Sequence, residues 1–348
     1  MATFGVTAVA LTNANAFELG STGRLQPPGL VLGNAATAPP PGLYMFNQAF
    51  TYQSNAVGPG ADFIKRNLNG GKGTSASADA AATGLLWVPG WTFLGGTYDA
   101  VIAQPFIRAD FSSPFNFSDA GMHNTFIAPV ELSWKLGDSG FFVKSGLGVW
   151  APTGTQTGTG FPGGFAPALA ALGTAPRGLS NGLGNWGNPW WTFQPTVAVS
   201  YLNDGWNLTA NTFLEINTKN TITNYTSGDV LHVELTATKT IGKWTFGPVG
   251  YYIGQITDDK SSAFYNGAIG SNRYNVWAAG GLVGYDFGPA ALKLWVVNEF
   301  SANASGGTMF GPGVDSAFVT KGWTVFTQLS YRLWAPDEPA ATPKLYRK

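Results

Sequence analysis

A closed antiparallel transmembrane β-barrel of about 12 strands (12–14), with short periplasmic turns and long extracellular loops, is the fold class this sequence predicts. Three observations lead there. Only 11% of the 348 residues are charged, balanced at 19 Lys/Arg and 19 Asp/Glu, whereas ordinary soluble domains carry about 25%. Apolar and polar residues alternate with period two through much of the chain. The connections between alternating segments are, in turn, short and long. Aromatics make up 14% of the residues, with 13 Trp, so the outer surface suits lipid better than water.

Several classes fall away on composition. Zero net charge argues against phosphate-neutralising nucleic-acid binding. The absence of cysteine excludes disulfide scaffolds and thiolate metal sites. Membrane helices need about 20 consecutive apolar residues. The uncharged stretches here are cut by Pro89-Gly90, Gly95-Gly96 and many further glycines and prolines. A membrane role therefore has to use strands.

The N-terminus, 1–16, reads as a truncated signal peptide. It has an apolar core (FGVTAVAL), a small-x-small site at Ala14-Asn15-Ala16, and no basic start. Residues 17–42 are Pro/Gly-rich without alternation and read as a plug or leader. The barrel itself is expected over 43–334, and 335–348 as a periplasmic tail.

Alternation places segments near 43–52, 80–88, 92–104, 123–136, 141–152, 190–202, 206–217, 228–240, 244–255, 275–287, 291–301 and 322–334. WNLTANTFLEIN is the clearest: Trp206, Leu208, Ala210, Thr212, Leu214 and Ile216 share one face, and Asn207, Thr209, Asn211, Phe213, Glu215 and Asn217 the other. Residues 125–135 divide similarly, with Phe126, Ala128, Val130, Leu132 and Trp134 expected toward lipid. Short connections carry turn chemistry, as in Asn203-Asp204-Gly205 and Gly288-Pro289. Trp87, Trp91, Trp134, Phe141, Tyr201, Trp206, Trp244 and Phe287 stand near segment ends, where interfacial girdles form. In lipid every backbone polar group must be paired, so such a sheet has to close.

With apolar residues outward, the charged ones turn inward. The lumen-lining candidates are Asp99, Glu131, Lys135, Lys144, Glu215, His232, Glu234, Asp286, Lys293, Glu299 and Arg332, both signs in near balance. The loop around 155–191 is unusually apolar. Phe161, Phe165, Leu169, Leu172, Trp186 and Trp190 there form a candidate capture surface for hydrophobic molecules. No catalytic, metal or cofactor constellation emerges. The two histidines, His123 and His232, have no adjacent serine in a triad-like pattern, and GTGFPG at 158–163 lacks the strand-to-helix setting of a phosphate loop.

Short motifs then point to a family. They are PPPGLY at 39–44, Pro129-Val130-Glu131-Leu132 with Trp134 and Gly137, GLGVWAPTG at 146–154, NTKNTITNYTSGD at 217–229, Gly250-Tyr251-Tyr252 with Gln255 and Thr257-Asp258-Asp259, and GYDFG at 284–288. In their order and spacing the chain resembles the "meta-pathway of phenol degradation" outer-membrane proteins, relatives of the long-chain fatty-acid transporters. The resemblance implies a non-enzymatic, cofactor-free barrel in the bacterial outer membrane that passes hydrophobic, often aromatic, small molecules. Its partners would be the lipid bilayer, that substrate and the barrel-assembly machinery, with no nucleic acid. A weakly selective porin, an outer-membrane lipid hydrolase and an adhesion barrel are the alternatives. In the wider superfamily an N-terminal hatch fills the lumen and substrate leaves sideways. Here the leader is short, the strand count is twelve rather than fourteen, and the terminal aromatic signal Tyr331-Arg332-Leu333-Trp334 is followed by a tail.

Overall fold

The computed structural model describes residue 18 and residues 25–156, 186–310 and 313–336. Among these, the long strands are β1 (Gly42–Val57), β2 (Ser75–Val88), β4 (Gly96–Phe111), β6 (Thr125–Lys135), β7 (Phe141–Ala151), β8 (Thr192–Asn203), β9 (Trp206–Asn217), β10 (Val230–Ile241), β11 (Trp244–Gln255), β12 (Arg273–Asp286), β13 (Ala290–Ser305) and β14 (Val319–Trp334). Each pairs antiparallel with its neighbours. β1 joins β14, and β2 joins both β1 and β4, so the sheet closes into a twelve-stranded barrel. No described helix is long and apolar enough to span a membrane.

All twelve sequence segments fall on these strands. The structure adds elements that the alternation did not separate, among them a helix and two short strands. Helix α1 (Pro59–Asn67) follows β1 and β5 (Phe117–Met122) extends the upper half of β4, both inside connections, and β3 (Thr92–Phe93) forms a small hairpin with β4 at the start of the segment expected at 92–104. The segment expected at 92–104 is therefore split, because Leu94 and Gly95 both adopt positive φ and turn the chain. The β8–β9 turn works alike: Asp204 and Gly205, at φ 47° and 73°, supply the twist a two-residue hairpin needs.

Leu208, Leu235, Val197, Val199, Leu294 and Val296 lie exposed on the outer wall, with Phe213, Ser200, Glu234 and Trp295 buried inside. Exposed aromatics ring both ends: Trp87, Trp206, Trp244 and Trp334 at the short-turn end, and Trp191, Trp277 and Trp323 at the long-loop end. The chain is thus an outer-membrane β-barrel.

One face assignment is corrected. In β6, the four residues 128–131 lie opposite only three of β4, Asp99 to Val101, and the four residues 127–130 opposite only three of β7, Leu147 to Val149. This is a bulge around Pro129, which has no N–H to give to a ladder. The extra residue switches faces. Phe126 packs on the buried Trp150 and Ala128 is buried, so both turn inward rather than toward lipid, while Val130 stays exposed below the bulge. Pro129 is the extra residue, and deleting it leaves Phe126, Ala128 and Glu131 on one face at strict period two. The deletion is expected to keep the heat-modifiable folded band on cold gel electrophoresis, whereas deleting Leu132 sets Glu131 and Ser133 on opposite faces and is expected to lose it.

Candidate functional site

The lumen is occupied by the chain itself. Residues 25–41, directly before β1, are held by inward side chains of strands around the wall. Gln26 N donates to Glu215 Oε1 of β9 at 2.9 Å. Gly29 N and Val31 N donate to the two Glu234 oxygens of β10 at 2.7 and 3.0 Å. Gly33 N reaches Thr236 Oγ1, and Ala36 N reaches Ser200 Oγ of β8. From the other side, Lys293 Nζ donates to Gly33 O, Trp295 Nε1 to Gly29 O, and Gln48 Nε2 to Leu30 O. Strands as distant as β1, β8 and β13 can bind one segment only if it runs inside them.

A chain with no ladder partner has to satisfy its amides with side chains, and carboxylates that accept backbone N–H groups do so strongly. Gly29 and Gly33 hold φ of 89° and 81°. A Cβ on Gly33 would lie 2.5 Å from Leu282 Cδ1. Glycine at both places lets the segment turn against the wall. Leu32 and Trp295 are fully buried in the same cluster as Tyr251, Val276, Val297 and Phe326.

The upper end of the leader is tied to the long loops. Glu18 is 2% exposed; its carboxylate accepts from Asn220 Nδ2 at 2.6 Å, Tyr265 OH at 2.9 Å, and Thr223 Oγ1. Asp259 sits nearby, taking hydrogen bonds from Tyr225 OH, Gly228 N and Gln255 Nε2. His123 anchors the same region, its Nδ1 2.7 Å from Trp186 O and its Nε2 3.0 Å from Leu25 O. Burial drives its pKa below the ordinary imidazole value despite these two bonds. Glu18 is thus tied to the extracellular loops, and residues 25–41 reach the periplasmic end at Pro41.

The inner wall carries most of the sequence candidates. Asp99, Glu215, His232, Glu234 and Glu299 are buried there. Lys144 of β7 bridges Asp99 of β4 at 3.0 Å and Glu131 of β6 at 2.9 Å, near the periplasmic end. His232 stacks on Phe213 with ring centroids 4.3 Å apart, and its Nε2 lies 3.5 Å from Glu215 Oε1. Three candidates stand elsewhere. Lys135 closes its strand and pairs with Asp138 in the adjoining turn. Asp286 is the last residue of β12 and accepts from Gly288 N. Arg332 sits at the periplasmic mouth, donating to Pro41 O and lying over Tyr44. End positions keep the inward parity but reach water.

The expected charge balance is also revised. Removing those three leaves carboxylates of Asp99, Glu131, Glu215, Glu234 and Glu299 against the ammoniums of Lys144 and Lys293 on the described inner wall. Of the capture-loop candidates, Trp186 and Trp190 are buried; their indole N–H groups donate to Asp119 and Asn217. Phe161, Phe165, Leu169 and Leu172 lie outside the described residues, as do 1–16 and most of 335–348.

Sequence reasoning missed Glu18, Asp259 and the inner aromatics Phe50, Phe213, Trp295 and Phe326. The signal for the aromatics was present, since Phe213 interrupts the polar face of β9. Asp259 entered only as part of a family motif and Glu18 not at all, because their partners are distant in sequence.

The wall also has a seam. The β13–β14 ladder ends at Asn298–Trp323, although both strands continue. Gly322 N donates instead to Glu299 Oε2 at 2.8 Å, and Asn298 Nδ2 to Gly322 O at 3.4 Å. Glu299 also receives Tyr52 OH and Tyr251 OH at 2.7 and 2.8 Å. A cavity of about 530 Å³ opens there, lined by Gln53, Asn55, Glu299, Lys321 and Trp323 among others.

Two outcomes follow. Burial raises Glu18 from its ordinary 4.5 to about 7 and Asp259 from 3.8 to about 6, against the lowering effect of their hydrogen-bond donors. A pKa raised on folding means that the protonated acid is the better-accommodated form. The loop attachment is therefore strongest below about pH 4.5 and weakens as pH rises to about 7. Hydrogen exchange of residues 218–229 is expected to be slower at pH 5 than at pH 8 after correction for intrinsic rates, with Glu18→Gln flattening the difference. Lys144→Met leaves two buried carboxylates without their cation and should cost about 3–5 kcal/mol of unfolding free energy. Adding Asp99→Leu and Glu131→Leu is expected to restore most of that in a urea titration.

Comparison with known proteins fits this geometry. No curated protein sequence matches the chain. An outer membrane channel of the COG4313 type from Pseudomonas putida F1 has the same fold, at TM-score 0.62 and 12% identity, covering 88% of this chain and 99% of that one. The β domain of the Bordetella autotransporter BrkA aligns more loosely, at TM-score 0.44 and 11% identity over 83% of this chain and 99% of that one. Residues 46–310 match the family described as the MetA-pathway of phenol degradation, and the match covers most of the chain. On that match and this barrel, the chain belongs to the MetA-pathway of phenol degradation family.

Proposed function

We propose that this barrel is a passive outer-membrane channel for hydrophobic, aromatic small molecules, and that it carries out no covalent chemistry. The observation that supports the reading most is the asymmetry of the lumen. The inner segment 25–41 bonds to β1, β8, β9, β10 and β13. The inner faces of β2 and β4 carry Ala78, Ala80, Ala82, Leu86, Val101, Ile107 and Ala109, all only half-buried. Phe46 leans across Gly84 of β2, where a Cβ would lie 2.1 Å from its ring. Beside the plug, then, runs an apolar lane of small side chains flanked by phenyl rings, which suits an aromatic hydrocarbon.

The family and the channel from Pseudomonas putida F1 support the same reading. The carboxylate excess on the inner wall adds selectivity: neutral aromatics pass, and anions such as benzoate meet repulsion in a low-dielectric interior. Trp186 and Trp190 are buried with their indole N–H groups bonded, so they brace the base of the loop rather than offering a surface to an arriving molecule. The seam between β13 and β14 supplies a sideways opening toward the membrane as an alternative to an axial exit. His123 engages two carbonyl oxygens and His232 stacks on Phe213, an arrangement that favours structure over hydrolysis.

Cells making the protein are expected to take up radiolabelled toluene faster than cells lacking it, and benzoate no faster. Ala82→Trp fills the lane and should lower toluene uptake on the order of tenfold. Leu235→Trp, on the outer wall, should leave it unchanged. Equal uptake with and without the protein removes the proposal, and large steady ion currents in planar bilayers would favour a porin.

A further inference from the structure

The outer wall of β1 and β2 breaks the rule that the rest of the barrel follows. Outward positions elsewhere are Leu208, Val197, Val199, Leu235, Leu294 and Val296. On β1 they include Asn47, Ala49, Thr51 and Gln53, and on β2 Ser77, Asp79, Ala81 and Thr83. The parity is fixed by Gln48, which bonds inward to Leu30 O, and by Phe50, which packs on Phe326.

Depth is fixed too. Leu43 pairs with Trp87 and Trp334 at the lower girdle, and Gln53 pairs with Ser77 and Trp323 at the upper one. Asn47 and Thr83, register partners, therefore stand inside the hydrocarbon layer. Thr83 Oγ1 donates to Asn47 Oδ1 at 2.8 Å. That bond leaves the two amide hydrogens of Asn47 directed at lipid, which offers no acceptor. Polar groups so placed are costly unless another protein surface meets them.

We propose that this face is an interface with a second copy of the chain. Two copies inserted the same way are related by an axis along the bilayer normal, so residues of equal depth meet. The register makes the face complementary to itself on those terms. Asn47 and Thr83 share one level and provide donors and acceptors together. Asp79 stands one level higher beside Thr51, its register partner on β1, so each copy offers a carboxylate and a hydroxyl there, while Arg108 is held within its own chain by Asp110. Ala49 and Ala81, both exposed, leave the centre flat, so two walls can approach until the amides touch.

The chain has no cysteine, so a single introduced thiol is unique. Ala49→Cys in outer membranes treated with a short bis-maleimide should give a dimer band of twice the monomer mass, and Leu235→Cys, on the opposite wall, should not. In mild detergent, Asn47→Leu with Thr83→Val should reduce the dimer fraction about tenfold, the loss expected of two interfacial hydrogen bonds in lipid. Retained heat-modifiable migration separates that result from misfolding. Ala49→Cys that stays monomeric, or that crosslinks to a different protein, overturns the proposal. Toluene uptake is read in the same cells, so a failed dimer and a failed channel are distinguishable.

Discussion

Backbone amides without water as a fallback are the constraint on which this molecule turns. The wall meets it by closing, so that each strand finds two neighbours. The inner segment has no ladder to join, and it meets the same demand with side chains of the wall. Glu234 alone satisfies two of its N–H groups, and Glu215, Thr236 and Ser200 satisfy three more. Glu215 and Glu234 therefore serve a stretch of irregular backbone in the lumen, while Asp99, Glu131 and Glu299 bond to groups of the wall itself. The charge pattern that makes the interior unwelcoming to anions is a by-product of that hydrogen bonding.

The period-two pattern made the barrel legible because its cause is local. Each residue of β9 or β10 faces either lipid or lumen, and its chemistry says which. Pro129 shows where local reading stops. The bulge it sits in exchanges the faces of β6 halfway along, so Phe126 and Ala128 ended on the side opposite to strict alternation. The inward carboxylates were readable as inward, but their purpose was not. Nothing near Glu234 in sequence announces Gly29 and Val31, more than two hundred residues away. Glu18 and Asp259 were invisible for the same reason, since loop acids read as solvated until their donors are known. Lys135, Asp286 and Arg332 had the right parity at the wrong height, and parity carries no information about height.

An eccentric plug reconciles two demands that otherwise conflict. A sealed lumen protects the cell from leakage, while a channel needs a continuous path. By fastening to one side of the wall, the segment fills the volume yet leaves β2 and β4 lined with alanine. Methyl groups along the proposed lane offer a flat ring contact with no polar group to desolvate. The triad of Lys144, Asp99 and Glu131 stands near the periplasmic end, where three adjacent strands are cross-linked by charge.

The side chain of Gln48 touches two things at once. Its amide nitrogen donates both to Leu30 O of the inner segment and to Gln328 Oε1 of β14. β1 and β14 are the first and last strands of the wall, so their junction is the one that folding must zip last. The segment before β1 thus leaves its mark on the final stitch. A barrel that shut without its occupant would keep the bond to Gln328 and leave the other hydrogen of that amide without its acceptor, a difference between a filled cylinder and an empty one.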